Sequence, residues 1–97
     1  MRRRFLVAIN GGTMQERNAI SEALSESKWG FWHWLDDIWF IQSVPPRVTC
    51  KEIDQWLRSL PDVPDDKIML TMNLDNPDEF FGWLQAEAWD WLRKNWH

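Results

Sequence analysis

Trp29-Gly30-Phe31-Trp32-His33-Trp34-Leu35-Asp36-Asp37-Ile38-Trp39-Phe40-Ile41-Gln42 is the stretch on which the fold turns. Bulky apolar side chains dominate it, broken by His33 and by the acid pair Asp36-Asp37. Two short β-prone runs around a tight acidic turn spell a hairpin, Phe31 to Leu35 and Ile38 to Ser43, with large groups on both faces. A two-stranded hairpin is marginal in water, so other elements have to cover it.

On the N-terminal side, Phe5 to Ile9 is unbroken apolar sequence, as in a central strand buried on both faces. Asn10-Gly11-Gly12 ends it in a sharp turn. Thr13 and Glu16 then form a Thr-x-x-Glu capping box. Ile20, Ala23 and Leu24 follow at helical spacing behind Met14, while Arg17, Glu22 and Glu26 point elsewhere. Gly30 is expected to close this helix.

On the C-terminal side, Pro45-Pro46 stops the second hairpin strand, because proline lacks the ladder donor. Thr49 and Glu52 make a second capping box, and Ile53, Trp56, Leu57 and Leu60 form an i, i+3, i+4, i+7 stripe. Pro61 to Asp66 is an acidic loop. Lys67 to Leu74 alternates as a strand, with Ile68, Leu70, Met72 and Leu74 on one side and Met69, Thr71 and Asn73 on a more polar one. Asn76-Pro77-Asp78-Glu79 starts a last helix, expected over about residues 77–96. Phe80, Phe81, Leu84, Ala88, Trp91 and Leu92 fall in one arc, Trp89 and Trp96 lie at its edge, and Trp83 points away.

The order β-α-β-β-α-β plus a C-terminal helix predicts a single α+β domain over residues 1–97. It is of the ferredoxin-like type, a four-stranded antiparallel sheet with both inner helices on one face. The opposite face then needs the third helix, a second subunit or a ligand.

Nine tryptophans and no tyrosine in 97 residues is unusual. Trp suits interfaces as well as cores, which makes Trp39, Trp83, Trp89, Trp91 and Trp96 candidate interface residues. Cys50 is the only cysteine, so no intrachain disulfide can form and a cytoplasmic location is expected. No run is long enough to span a membrane, and the start reads as a strand rather than a signal peptide. Residues 61–90 carry eight acids against one base, whereas residues 1–60 carry eight bases against seven acids. That balance disfavours broad capture of nucleic acid. Arg2, Arg3 and Arg4 are the candidate phosphate contacts, weighed against a plain solvated strand end.

Among single residues, His33 reads as a hydrogen-bonded, half-buried side chain and Asp36-Asp37 as turn residues. Asn10-Gly11-Gly12-Thr13 lacks the lysine of a phosphate-binding loop. Cys50 follows a helix cap but has no His nearby in sequence, so it reads as a packing thiol. Trp39 or Phe40 could stack bases as in RNA-recognition domains, yet their basic-Gly-aromatic signature is missing.

Trp32-His33-Trp34-Leu35-Asp36-Asp37-Ile38-Trp39 resembles the aromatic-His-aromatic-Leu, acid, x, Trp segment of SinR-type relatives of the small CRISPR-associated adaptation endonuclease. Phe5-Leu6-Val7-Ala8-Ile9-Asn10 is similar to that family's first strand. Thr49-Cys50-Lys51-Glu52-Ile53 with Leu57-Arg58 resembles its second helix, and Asp65-Asp66-Lys67-Ile68-Met69-Leu70 its acidic turn and last strand. The resemblance covers residues 5–74 and, loosely, Trp89-Asp90-Trp91-Leu92. It implies a ferredoxin-like homodimer, and at the end of the first strand an aspartate paired across the dimer on a divalent metal. That position here is Asn10, and an amide is a poorer Mg²⁺ ligand than a carboxylate. The expectation is therefore a non-catalytic, homodimeric protein-interaction module with no cofactor and no metal. The alternatives are a Mg²⁺-dependent endonuclease acting on RNA or DNA and a non-catalytic nucleic-acid binder; the reading leans against an enzyme.

Overall fold

A computed structural model describes residues 2–75 and 86–95. The elements are β1 (Arg3–Ile9), α1 (Met14–Ser27), β2 (Gly30–Leu35), β3 (Ile38–Val44), α2 (Cys50–Arg58), β4 (Met69–Asn73) and α3 (Ala86–Asn95). The strands form one antiparallel sheet in the order β2-β3-β1-β4. The architecture is mixed α+β, a four-stranded sheet with three helices among the described residues. The start of the C-terminal helix expected at Asn76-Pro77 lies outside those residues.

Both capping boxes form, at Thr13/Glu16 and Thr49/Glu52. Each satisfies backbone N–H groups that the first helical turn leaves without partners. Gly30 does not close α1. Lys28 does, in the left-handed region at φ 66, and Gly30 already begins β2.

One layer is closed. Phe5, Val7 and Ile9 of β1 and Trp39, Ile41 and Val44 of β3 pack with Ile20 and Leu24 of α1 and Ile53 and Leu57 of α2. Val44 reaches this layer through a bulge: Arg3 pairs with Val44 but Phe5 with Ile41, so β3 carries an extra residue. Ser43 sits there at φ 62, and the insertion turns Val44 inward where simple alternation would have placed the serine. A second break, between Trp32 and Leu35, ends the tight part of the hairpin and leaves Trp34 and Leu35 exposed.

The other layer is covered in part. Trp32, Ala88 and Leu92 are buried together, with Phe40, Leu74, Trp89 and Trp91 packed around them. Trp32 stacks on Phe40 at 4.6 Å, and its indole N–H donates to Ala88 O at 3.2 Å. Thus α3 packs on the β2–β3 half of the sheet within the same chain. The β1–β4 half differs. Val7 pairs with Thr71 and Ile9 with Met69, so the more polar side of β4 faces the inner helices. Ile68, Leu70 and Met72 point the opposite way and are 69%, 55% and 47% exposed. Beside them Leu6 and Ala8 are only half-buried, so β1 is not closed on both faces as its unbroken apolar run suggests.

Candidate functional site at the end of β1

The loop after β1 is held by groups from three parts of the chain. Asn10 is exposed, and its N–H donates to Ile68 O at 3.0 Å. Gly11 takes φ 56, which a side chain would strain. Gly12 passes so close to the hairpin tip that an added Cβ would meet Asp37 Oδ1 at 2.5 Å, and its N–H donates to that oxygen at 3.2 Å. Arg17 Nε donates to the same oxygen at 3.0 Å, and Ile9 N–H donates to Asp37 O at 2.9 Å. On the other side Lys67 Nζ donates to Glu16 Oε1 at 2.8 Å and to Gly11 O at 3.1 Å. Thr13 N–H donates to the same Glu16 oxygen at 2.8 Å.

Two carboxylates therefore face two cations around the loop that follows β1. The hydrogen bond from Lys67, with that from the Thr13 backbone, holds Glu16 below its ordinary value. Burial pushes Asp37 up, but Arg17 and the Gly12 N–H outweigh it and leave the carboxyl lowered. Magnesium takes near-octahedral oxygen coordination with carboxylates and waters. Here Asn10 offers a neutral amide, while Asp37 and Glu16 are engaged by Arg17 and Lys67. This donor set does not fit the divalent metal that the resemblance implies. Among the described residues no group of three or more His, Cys, Asp or Glu side chains could hold a metal ion.

The network gives a pH prediction. Glu16, Asp37 and Asp75 are all lowered, Asp75 chiefly by the Arg4 N–H. A lowered carboxyl contributes stability that is whole above its unfolded value, 4.5 for Glu16 and 3.8 for the two aspartates, and is lost as pH falls through the folded value. The urea midpoint should stay level from neutrality to about pH 5 and drop progressively below that. Lys67→Met should flatten the drop by removing the largest cause acting on Glu16. A midpoint that rises on acidification would contradict the assignment.

The basic cluster is divided. Arg3 donates to Val48 O at 2.8 Å, lies 3.5 Å from Asp75 Oδ2 and sits over the Phe5 ring. The Arg4 backbone is tied to Asp75, Leu74 and Asn73, whereas Arg2 is exposed. Arg3 is thus built into the fold and does not join a row of three free cations.

His33 stacks on Trp39 at 4.3 Å. Its Nε2 lies 2.8 Å from Asp36 O, an acceptor only, so Nε2 carries the proton. Nδ1 then accepts from Ser21 Oγ at 3.3 Å, and Ser21 in turn accepts from the Trp39 N–H at 3.0 Å. Every polar atom of this trio is used inside the fold. Cys50 is half-buried against the closed core.

One interface expectation is overturned. Trp39 is fully buried under α1, because its place on the central strand β3 puts it opposite Val7 in the closed layer. It offers nothing to a partner or to a nucleic-acid base. Trp89 and Trp91 are half-buried around Trp32, and Phe40 is stacked on Trp32 in the same layer. Trp83 and Trp96 lie outside the described residues. The sequence pointed to a second apolar face needing cover, but not to its staying open at Leu6, Ala8, Ile68, Leu70 and Met72. The alternation in residues 68–74 was visible, but only the register shows which side meets the inner helices. No protein-family model, curated protein or solved structure matches the chain.

Proposed function

We propose that this protein is a non-catalytic homodimeric interaction module, with the open β1–β4 half of the sheet as its self-association surface. The observation that carries the reading is the run of exposed apolar side chains Ile68, Leu70 and Met72 on an edge strand. Edge strands are usually blunted by charge, proline or a bulge. Residues Met69 to Asn73 contain no charge and no proline, and their pairing with β1 runs without a register break. A second copy suits this edge because a two-fold interface uses one patch twice. Antiparallel pairing of β4 with itself about Thr71 sets Leu70 of each copy beside Met72 of the other, and joins the two apolar stripes. The strand order, with α1 and α2 on one face, supports the ferredoxin-like form of the α+β fold. The neutralised surroundings of Asn10 support the non-catalytic side of the proposal, and with it a diverged relative of the adaptation endonucleases.

Light scattering at tens of micromolar should give twice the mass of the chain. Leu70→Lys should give a monomer with unchanged circular dichroism, since the dimer would otherwise bury an unpaired ammonium from each copy. A wild-type chain that stays monomeric at that concentration sinks the proposal.

A further inference from the structure

The closed side of the molecule carries a second feature, independent of the sheet surface. A cavity of about 320 Å³ opens beside α2, lined by Trp29, Val48, Glu52, Ile53 and Trp56. The Trp29 and Trp56 rings meet edge to face, 5.3 Å between centroids and 66° between planes, and both residues line this corner of the cavity. Both are half-buried: they pack on the core and still present surface to the cavity. Glu52 supplies the charged lining residue. Its Oε1 accepts from Thr49 N–H and Thr49 Oγ1, both at 3.1 Å, which fixes the carboxylate at the helix start beside the cavity. Among the described residues no basic side chain lines the cavity.

We propose that this corner binds a methylated ammonium group. Indole faces carry negative quadrupole potential and attract a weakly hydrated cation, and paired aromatic walls with a carboxylate are the usual means of holding a quaternary one. A neutral apolar ligand would use the indoles but have no use for Glu52. A hydrated ammonium or guanidinium would sacrifice hydration against Val48 and Ile53 for little return. A trimethylammonium group is apolar on its surface and charged overall, which matches both parts of the lining.

The test is a titration of the full chain followed through indole N–H resonances. Choline should shift the Trp29 and Trp56 signals saturably, and 3,3-dimethylbutan-1-ol, the same shape without the charge, should bind roughly tenfold more weakly or not at all. Glu52→Gln removes the charge but can keep the capping box, so it should weaken choline several-fold with the fold intact. A short peptide bearing trimethyllysine forms the second arm. Tighter binding of the peptide than of choline assigns the source to a modified protein tail, and the reverse order assigns it to a free small molecule. Equal response to choline and its neutral isostere, or response to neither cation, overturns the proposal. Self-association through β4 is read separately by light scattering, so one can fail without the other.

Discussion

Trp39→Ala is expected to lower the unfolding free energy by about 3–5 kcal/mol, the range for removing a fully buried large aromatic side chain. Small domains have only about 5–15 kcal/mol in total, so this one change should take roughly a fifth of the stability or more. The size follows from position. Trp39 lies on a central strand, opposite Val7, with no exposed surface and α1 above it. Its removal opens a cavity in the closed layer and takes away the ring on which His33 stacks. It also removes the N–H donated to Ser21 Oγ, and His33, whose Nδ1 accepts from that hydroxyl, supplies no donor in its place. Trp39→Phe keeps much of the packing and loses the N–H, so about 1–2 kcal/mol is expected, the cost of a lost hydrogen bond and a partly filled space. Urea unfolding followed by circular dichroism measures both. A loss below about 1 kcal/mol for the alanine variant would mean that this layer does not carry the stability.

The elements themselves were readable because each is marked by short-range chemistry. The two Thr-x-x-Glu boxes start α1 and α2 where the backbone bonds place them. The Asp36-Asp37 turn and the β-prone apolar run of residues 38–41 set the hairpin, and Pro45 marks its end. The two bulges were not readable. An extra residue at Ser43 reverses the inward and outward sense of β3, and nothing in Gln42-Ser43-Val44 announces that Val44 and not Ser43 enters the core. The site was partly legible for the same reason. Asn10 stands out at the end of a strand, but Arg17 and Lys67 looked like ordinary surface charges. They become neutralising partners only because α1 and the approach to β4 arrive at the same loop, which is long-range geometry. The direction of β4 is the plainest case. Its apolar side was visible at residues 68–74, and apolar sides normally face the core. Here the edge position and pairing with Val7 and Ile9 turn that side outward, and the exposed surface is the result.

Trp32→Ala should have an effect of similar size, about 3–5 kcal/mol, but confined to the opposite layer. α3 buries Ala88 and Leu92 against the sheet, so its place depends on what it packs against. Among the described residues that is Trp32 with Phe40 and Leu74 beside it, and Gln42 Nε2 donates to Asn95 Oδ1 at 3.3 Å. Trp32 is buried with Ala88 and Leu92, donates to Ala88 O, and stacks on Phe40. Without it α3 loses both its hydrogen-bond anchor and the floor of its groove. Amide exchange should therefore become fast at residues 86–95 while β1, β3 and α1 keep their protection, since those elements share the separate cluster around Trp39. Loss of protection spread evenly over both clusters would show that the two layers unfold as one unit. Released from α3, Phe40 and Leu74 would extend the exposed surface that Leu6, Leu70 and Met72 already present, and the variant should self-associate more strongly than the wild-type chain. The same helix that covers the β2–β3 half thus bounds, among the described residues, the apolar surface that β1 and β4 leave exposed.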